Sequence, residues 1–301
     1  MSYELFFTQQ MQVEPPDYTE FVAFFQDRKN YLLEENHAHY QNVDSGIYFY
    51  FEFDAELPER DKDEPLQEAE YQLIPIVFDI NLFRPHVFAL EAADELEAFI
   101  NHFELHVVDP QNDGLGEGLF SRAAFLKGWN HANAFAVEAI VDQHPEHPFP
   151  CTPAPRIKQY WRWNVARETY EASLEGEAYV PKFNFIWVDD QVHTAVIWGD
   201  GGPLALPEVD YVVLVSHEMR DDFQEGDEPE VVLAPWADIT PWLERYGSKV
   251  EAETDHWLVE YEGIPEDLKS WWLAYAGSKE FKIMTLDQVL DEEIVAMYME
   301  S

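Results

Sequence analysis

Cations are scarce in this chain. Of 301 residues only 18 are Lys or Arg, against 60 Asp or Glu, so the formal net charge is -42 and the pI is near 4.3. Affinity for nucleic acid comes mainly from Lys and Arg displacing phosphate counterions, so the shortage argues against direct nucleic-acid binding. It also leaves no basic cluster to meet an anionic membrane surface. Cysteine is limited to Cys151, and a lone thiol makes no internal disulfide. Apolar runs such as Tyr211-Val212-Val213-Leu214-Val215 fall far short of the roughly 18 residues a membrane span needs. The opening Met1-Ser2-Tyr3-Glu4-Leu5-Phe6-Phe7 lacks the basic region of a secretory signal. These absences predict a soluble, cytoplasmic protein without a membrane segment.

Large aromatics are plentiful. The chain holds 21 Phe, 15 Tyr and 10 Trp, and 47% of its residues are hydrophobic. A disordered acidic chain is poor in such residues and cannot offset its chain entropy. Adaptation to high salt also produces acidity, yet it gives no reason for so many rings. The rings predict a packed core and a contact surface.

The pattern along the chain predicts an α+β fold, with mixed or antiparallel sheets and segregated helices. Tyr3 to Phe7 reads as a first strand. Asp17 with Glu20 three residues on starts a helix. Residues His37 to Ser45 read as a polar loop. The strand Ile47 to Phe53 is aromatic on both faces, which predicts that both are covered. The acidic stretch 54–70 reads as an exposed loop between that strand and the next, Tyr71 to Ile80. Helices follow near Ala89–Phe103 and Leu119–Val141. Prolines 145, 148, 150, 153 and 155 predict a connection over 144–155 between two halves, 1–143 and 156–301. The second half begins with a helix near Arg156–Glu175. It continues with strands and ends in a helix near Leu286–Met299, capped by Thr285 and Gln288.

Several clusters could carry chemistry. His144, His147 and Cys151 have the spacing of metal ligands, but a closed zinc site needs four and no second Cys exists. The predicted metal and cofactor content is therefore none. His37 and His39 read as loop histidines. Asp109 and Asp113 bracket a turn, and His217 ends a strand; any of the three could serve an enzyme with a cleft between the halves. Gly199-Asp200-Gly201-Gly202-Pro203 lacks the Lys-Ser/Thr pair of a phosphate loop. Ser121 and Ser216 stand in no Gly-x-Ser-x-Gly elbow. None of this amounts to a catalytic motif. Trp129, Asn130 and Asn133 on one helix and Trp163, Asn164 and Arg167 on another suggest a polar seam between the halves. Core aromatics with interhelical hydrogen bonds are the competing reading, and the residues favour it over the seam.

The most acidic stretch contains Asp54, Glu56, Glu59, Asp61, Asp63, Glu64, Glu68 and Glu70. As a solvated face the stretch needs no further explanation, and that is the simpler reading; as a recognition surface, carboxylates spaced along an extended backbone would steer and dock a basic partner. With its acidic runs Glu52 to Glu70 and Asp221 to Glu230, its aromatic content and its lack of enzyme signatures, the chain resembles bacterial immunity proteins of polymorphic toxins. That resemblance implies a one-to-one complex in which an acidic cytoplasmic protein covers the cationic active site of a toxin. Two other readings stay open: a nucleic-acid mimic that inhibits a DNA-binding protein, and the small-molecule enzyme above.

Overall fold

Asp17 starts the first helix as its spacing to Glu20 predicts. Its carboxylate accepts the Glu20 N–H at 2.9 Å, and the Glu20 carboxylate accepts the Asp17 N–H at 3.0 Å. Such reciprocal caps supply the partners that a helix start otherwise lacks. In this computed structural model the described residues are 1–56, 71–111, 114–144, 148–220, 223–224, 226–278 and 280–299. The chain divides into two units, Met1–His147 with Leu290–Ser301, and Pro148–Val289.

The first unit runs β1 (Ser2–Gln10), α1 (Tyr18–Phe25), β2 (Tyr31–Glu34), β3 (His37–Gln41), β4 (Tyr48–Phe53), β5 (Tyr71–Asn81), α2 (Val87–Phe103), β6 (His106–Val108), β7 (Glu117–Gly118) and α3 (Arg122–Gln143). Its strands form one antiparallel sheet in the order β2-β3-β4-β5-β1-β6-β7. Period-two alternation turns Tyr3, Leu5, Phe7, Phe51 and Phe78 toward the helices, where all are fully buried. Phe99 of α2 is the hub, with its ring centroid 4.7 Å from that of Phe51, 5.3 Å from Phe7 and 5.7 Å from Phe25. Gly128 of α3 permits close approach, since a Cβ there would lie 2.7 Å from the Tyr3 hydroxyl. That hydroxyl donates to buried Asp109 at 2.6 Å.

The second unit comprises β8 (Cys151–Thr152), α4 (Ala154–Ser173), β9 (Asn184–Val188), β10 (Gln191–Gly199), β11 (Leu204–Pro207), β12 (Tyr211–Ser216), β13 (Glu230–Pro235), α5 (Trp236–Tyr246), β14 (Gly247–Val250), β15 (His256–Val259), α6 (Glu266–Ala274) and β16 (Lys282–Met284), then a 3-10 turn Leu286–Gln288. A five-stranded sheet, β13-β12-β10-β9-β16, has one parallel pair, β10 with β12. A three-stranded antiparallel sheet, β11-β15-β14, stands apart from it. The chain closes with β17 (Leu290–Asp291) and α7 (Glu292–Met299). The fold is α+β.

Four expectations change. Residues 37–41 are the strand β3, because Ala38 and Tyr40 alternate inward between His37 and His39. The aromatic strand is covered on one face only: Phe49 and Phe51 are buried, while Tyr48, Tyr50 and Glu52 are half-buried. The closing helix starts at Glu292, since the Thr285–Gln288 box caps only a 3-10 turn. The sequence reading assigns 156–301 to the second half, whereas 290–301 group with the first unit. Asp291 is the reason: its carboxylate meets His86 Nδ1 at 2.6 Å and accepts the His86 N–H at 2.8 Å, and α7 packs on α3.

The turn between β3 and β4 is held by a buried carboxylate. Glu91 Oε1 of α2 accepts from Tyr40 Oη at 2.7 Å, Asn42 Nδ2 at 2.8 Å and Ser45 Oγ at 3.1 Å. Removing a buried acceptor leaves its donors unsatisfied. Glu91→Ala should therefore cost about 2–4 kcal/mol in urea unfolding, and Glu91→Gln, which keeps an acceptor oxygen, should cost less. Equal losses for the two variants would mean that the acceptor is not what matters.

Candidate functional site

No Lys or Arg occurs in any strand of the seven-stranded sheet. Its helix-free face instead carries carboxylates, tyrosines and histidines in cross-strand rows. Register sets one row as Leu32–His39–Tyr50–Asp79–Glu4. The neighbouring row runs Glu34–His37–Glu52. Side chains directly opposite on antiparallel strands lie within contact distance. The His37 and His39 rings accordingly stack, with centroids 5.3 Å apart and planes 8° apart, and Tyr50 packs against both. His37 Nε2 lies 3.8 Å from Glu52 Oε2. Leu32, His39, Tyr48, Tyr50 and Asp79 line a shallow recess of about 370 Å³. Arg84, outside the strands, donates to the hydroxyl of the lining residue Tyr48 at 2.9 and 3.1 Å.

The charges on this face strain one another. Burial pushes the Asp79 carboxyl above its ordinary range; hydrogen bonds from Ser2 and Tyr50 pull it back, and the nearby Glu4 carboxylate adds to the rise. Burial, and then the charges of Asp79, Glu52 and Glu4, push the Tyr50 hydroxyl up to about 12. A cation approaching the face would relieve this repulsion. Chemically, the arrangement offers acceptors for Lys and Arg beside apolar ring surface.

The structure brings few of the sequence-derived candidates to this face. Asp54, at φ 58°, and Glu56 are exposed just beyond β4. Glu59, Asp61, Asp63, Glu64, Glu68 and Glu70 lie outside the described residues. The described ends of that acidic connection leave β4 one residue after Phe53 and enter β5 at Tyr71, so it is anchored in this sheet.

The Trp and Asn candidates are engaged inside their own units. Trp129 is fully buried in the first, its indole N–H without a hydrogen-bond partner among the described residues. Asn130 is exposed. Asn133 clamps the backbone of Arg84, accepting its N–H at 3.1 Å and donating to its carbonyl at 2.8 Å. In the second unit Asn164 makes the same clamp on Phe183, at 2.9 Å both ways. Trp163 donates to the Pro181 carbonyl at 2.7 Å, and Arg167 pairs with Glu171 at 3.5 Å.

Among the remaining candidates, Asp109 forms a turn, accepting the Gln111 N–H at 3.0 Å. Asp113 and His147 lie outside the described residues. Asp200 accepts the N–H groups of His217, Glu218 and Met219, which makes Gly199–Gly202 a capped turn. His217 Nε2 is 3.2 Å from the Asp227 carbonyl. Ser121 caps α3, and Ser216 Oγ accepts from Trp272. Among the described residues no group of three His, Cys, Asp or Glu could hold a metal ion, and no helix is long and apolar enough to cross a membrane.

Sequence reasoning missed Glu4, Glu34, His37, His39, Tyr48, Tyr50 and Asp79 as one surface. The signal was available in the cation-free strands, but the strand pairing that aligns them was not. Protein-family models, curated proteins and solved structures returned no match to this chain.

Asp79 provides a pH test. Its folded-state pKa is raised, so ionised Asp79 costs the fold stability above that value, and the cost fades as pH falls through it. Asp79→Asn should therefore unfold at higher urea than the parent at neutral pH, with the gap closing toward about pH 4. A gap that does not change with pH would remove the strain argument.

Proposed function

We propose that the protein binds a basic protein partner through the helix-free face of its seven-stranded sheet and inhibits it by covering a cationic surface. One observation carries the reading: the face presents Glu4, Glu34 and Glu52 around the buried Asp79, with no Lys or Arg on any of the seven strands. Surface carboxylates of this kind accelerate encounter with a cationic partner, and interleaved Tyr and Leu supply the contact that holds it. Asp54 and Glu56, exposed just beyond β4, extend the same negative field. Partners of this charge include toxins that act on phosphate-bearing substrates, so the finer proposal is a cytoplasmic immunity protein that occludes a toxin's active site. A nucleic-acid mimic is less well supported, because rings interrupt the carboxylates on this face where a phosphate file would be unbroken.

The test compares the parent with a Glu34→Gln, Glu52→Gln, Asp79→Asn variant. Both serve as bait in host lysate, and association of the captured partner is then timed at low and high salt. The partner should be basic, and the variant should associate about tenfold more slowly at low salt, with the difference shrinking at high salt. Equal association rates at low salt would refute the assignment of this face.

A further inference from the structure

In a chain this acidic, one helix has the opposite sign. α4 carries Arg156, Lys158, Arg162 and Arg167 against Glu168 and Glu171, and it is the one described helix with a net positive charge. One flank of it, Arg162, Trp163, Ala166, Arg167 and Tyr170, lines a recess of about 210 Å³ whose other wall is Val180, Val250, residues 252–254 and His256. A dry cavity of roughly 150 Å³ accommodates benzene, so this volume suits one aromatic ring with a short substituent.

The floor of the recess is His256, 4% exposed and ringed by Trp163 and Tyr170 with centroids 5.4 and 4.9 Å away. Its Nδ1 lies 2.9 Å from the Thr254 carbonyl, which can only accept, so the ring proton sits on Nδ1. Nε2 lies 2.6 Å from the Tyr170 hydroxyl, in hydrogen-bond contact. Both imidazole nitrogens are engaged, and Trp163, Tyr170 and His256 give the recess a ring-lined wall. Arg167 also lines it, held by Glu171 at 3.5 Å, and the exposed charge is at the mouth. Arg162 reaches Glu253 at 3.2 Å, with side chains 41% and 74% exposed. So exposed a pair is weak, and an incoming carboxylate could take the place of Glu253 on the guanidinium. A wider depression that shares residues 252–254 gathers Arg156 and Lys158 beside Arg162, together with Glu208, Glu253 and Asp255.

We infer that this recess is a binding site for a small aromatic carboxylate, with the ring against Trp163 and Tyr170 and the carboxylate on Arg162. The site belongs to the second unit and is independent of the sheet face in the first.

The test titrates the full chain with benzoate, phenylacetate and indole-3-acetate, each beside its neutral amide, by calorimetry. At least one acid should bind about tenfold more tightly than its amide. Arg162→Gln should abolish that preference, and Ala166→Trp, placed at the exposed rim, should block acid and amide alike. Both positions are exposed, so the variants should fold, which circular dichroism checks. If no acid binds, if acids and amides bind equally, or if Arg162→Gln retains the preference, the inference is overturned.

Discussion

Glu91 brings a carboxylate into the interior of the first unit, and the arrangement of its outer surface follows from how that group is satisfied. A buried charge is tolerated when hydrogen bonds replace its hydration. Three neutral donors from the β3 strand and the turn after it converge on one oxygen. Asn42 also accepts the Asp44 and Ser45 N–H groups, so the turn is fixed internally as well as to α2. β3 and β4 thus have one register, and that register puts His39 beside Tyr50 and His37 beside Glu52. A slip of one residue would turn every one of these side chains inward.

The two units meet a shared demand in the same way. Each helix that must lie against an irregular backbone stretch uses a fully buried Asn as a two-point clamp, Asn133 on Arg84 and Asn164 on Phe183. An amide side chain offers both a donor and an acceptor, so it can replace the strand neighbour that such a backbone lacks. Charge is arranged differently. The first unit keeps cations out of its sheet, whereas the second gathers them on α4.

Much of the architecture was legible in the residues because period and capping are local. The Asp17–Glu20 box, the Tyr48–Phe53 strand and the α2 stripe need no distant partner to be read. β2 and β3 were not legible: they are four and five residues long and joined across Glu35, which adopts φ 50° without a glycine to announce it. The aromatic strand misled for a physical reason. Tyrosine on a half-open face looks, in sequence, like tyrosine in a core, and only the hydroxyl contacts of Tyr48 and the carboxylates around Tyr50 distinguish them. The Trp129-Asn130 pairing was a similar trap. With Trp129 buried, the next residue is rotated by about 100° toward solvent, and the amide one turn on, Asn133, shares the buried side.

The strap from Leu290 onward gives the chain an order of events. Everything from Pro148 to Val289 is spliced into the first unit's sequence, and Asp291 reaches His86 across that whole span. On the ribosome the inserted unit is complete before its host is. α3 in the host unit lacks its neighbour α7 until that helix has been made. Domains that are synthesised first usually fold first; here the earlier-made unit is the later to be finished.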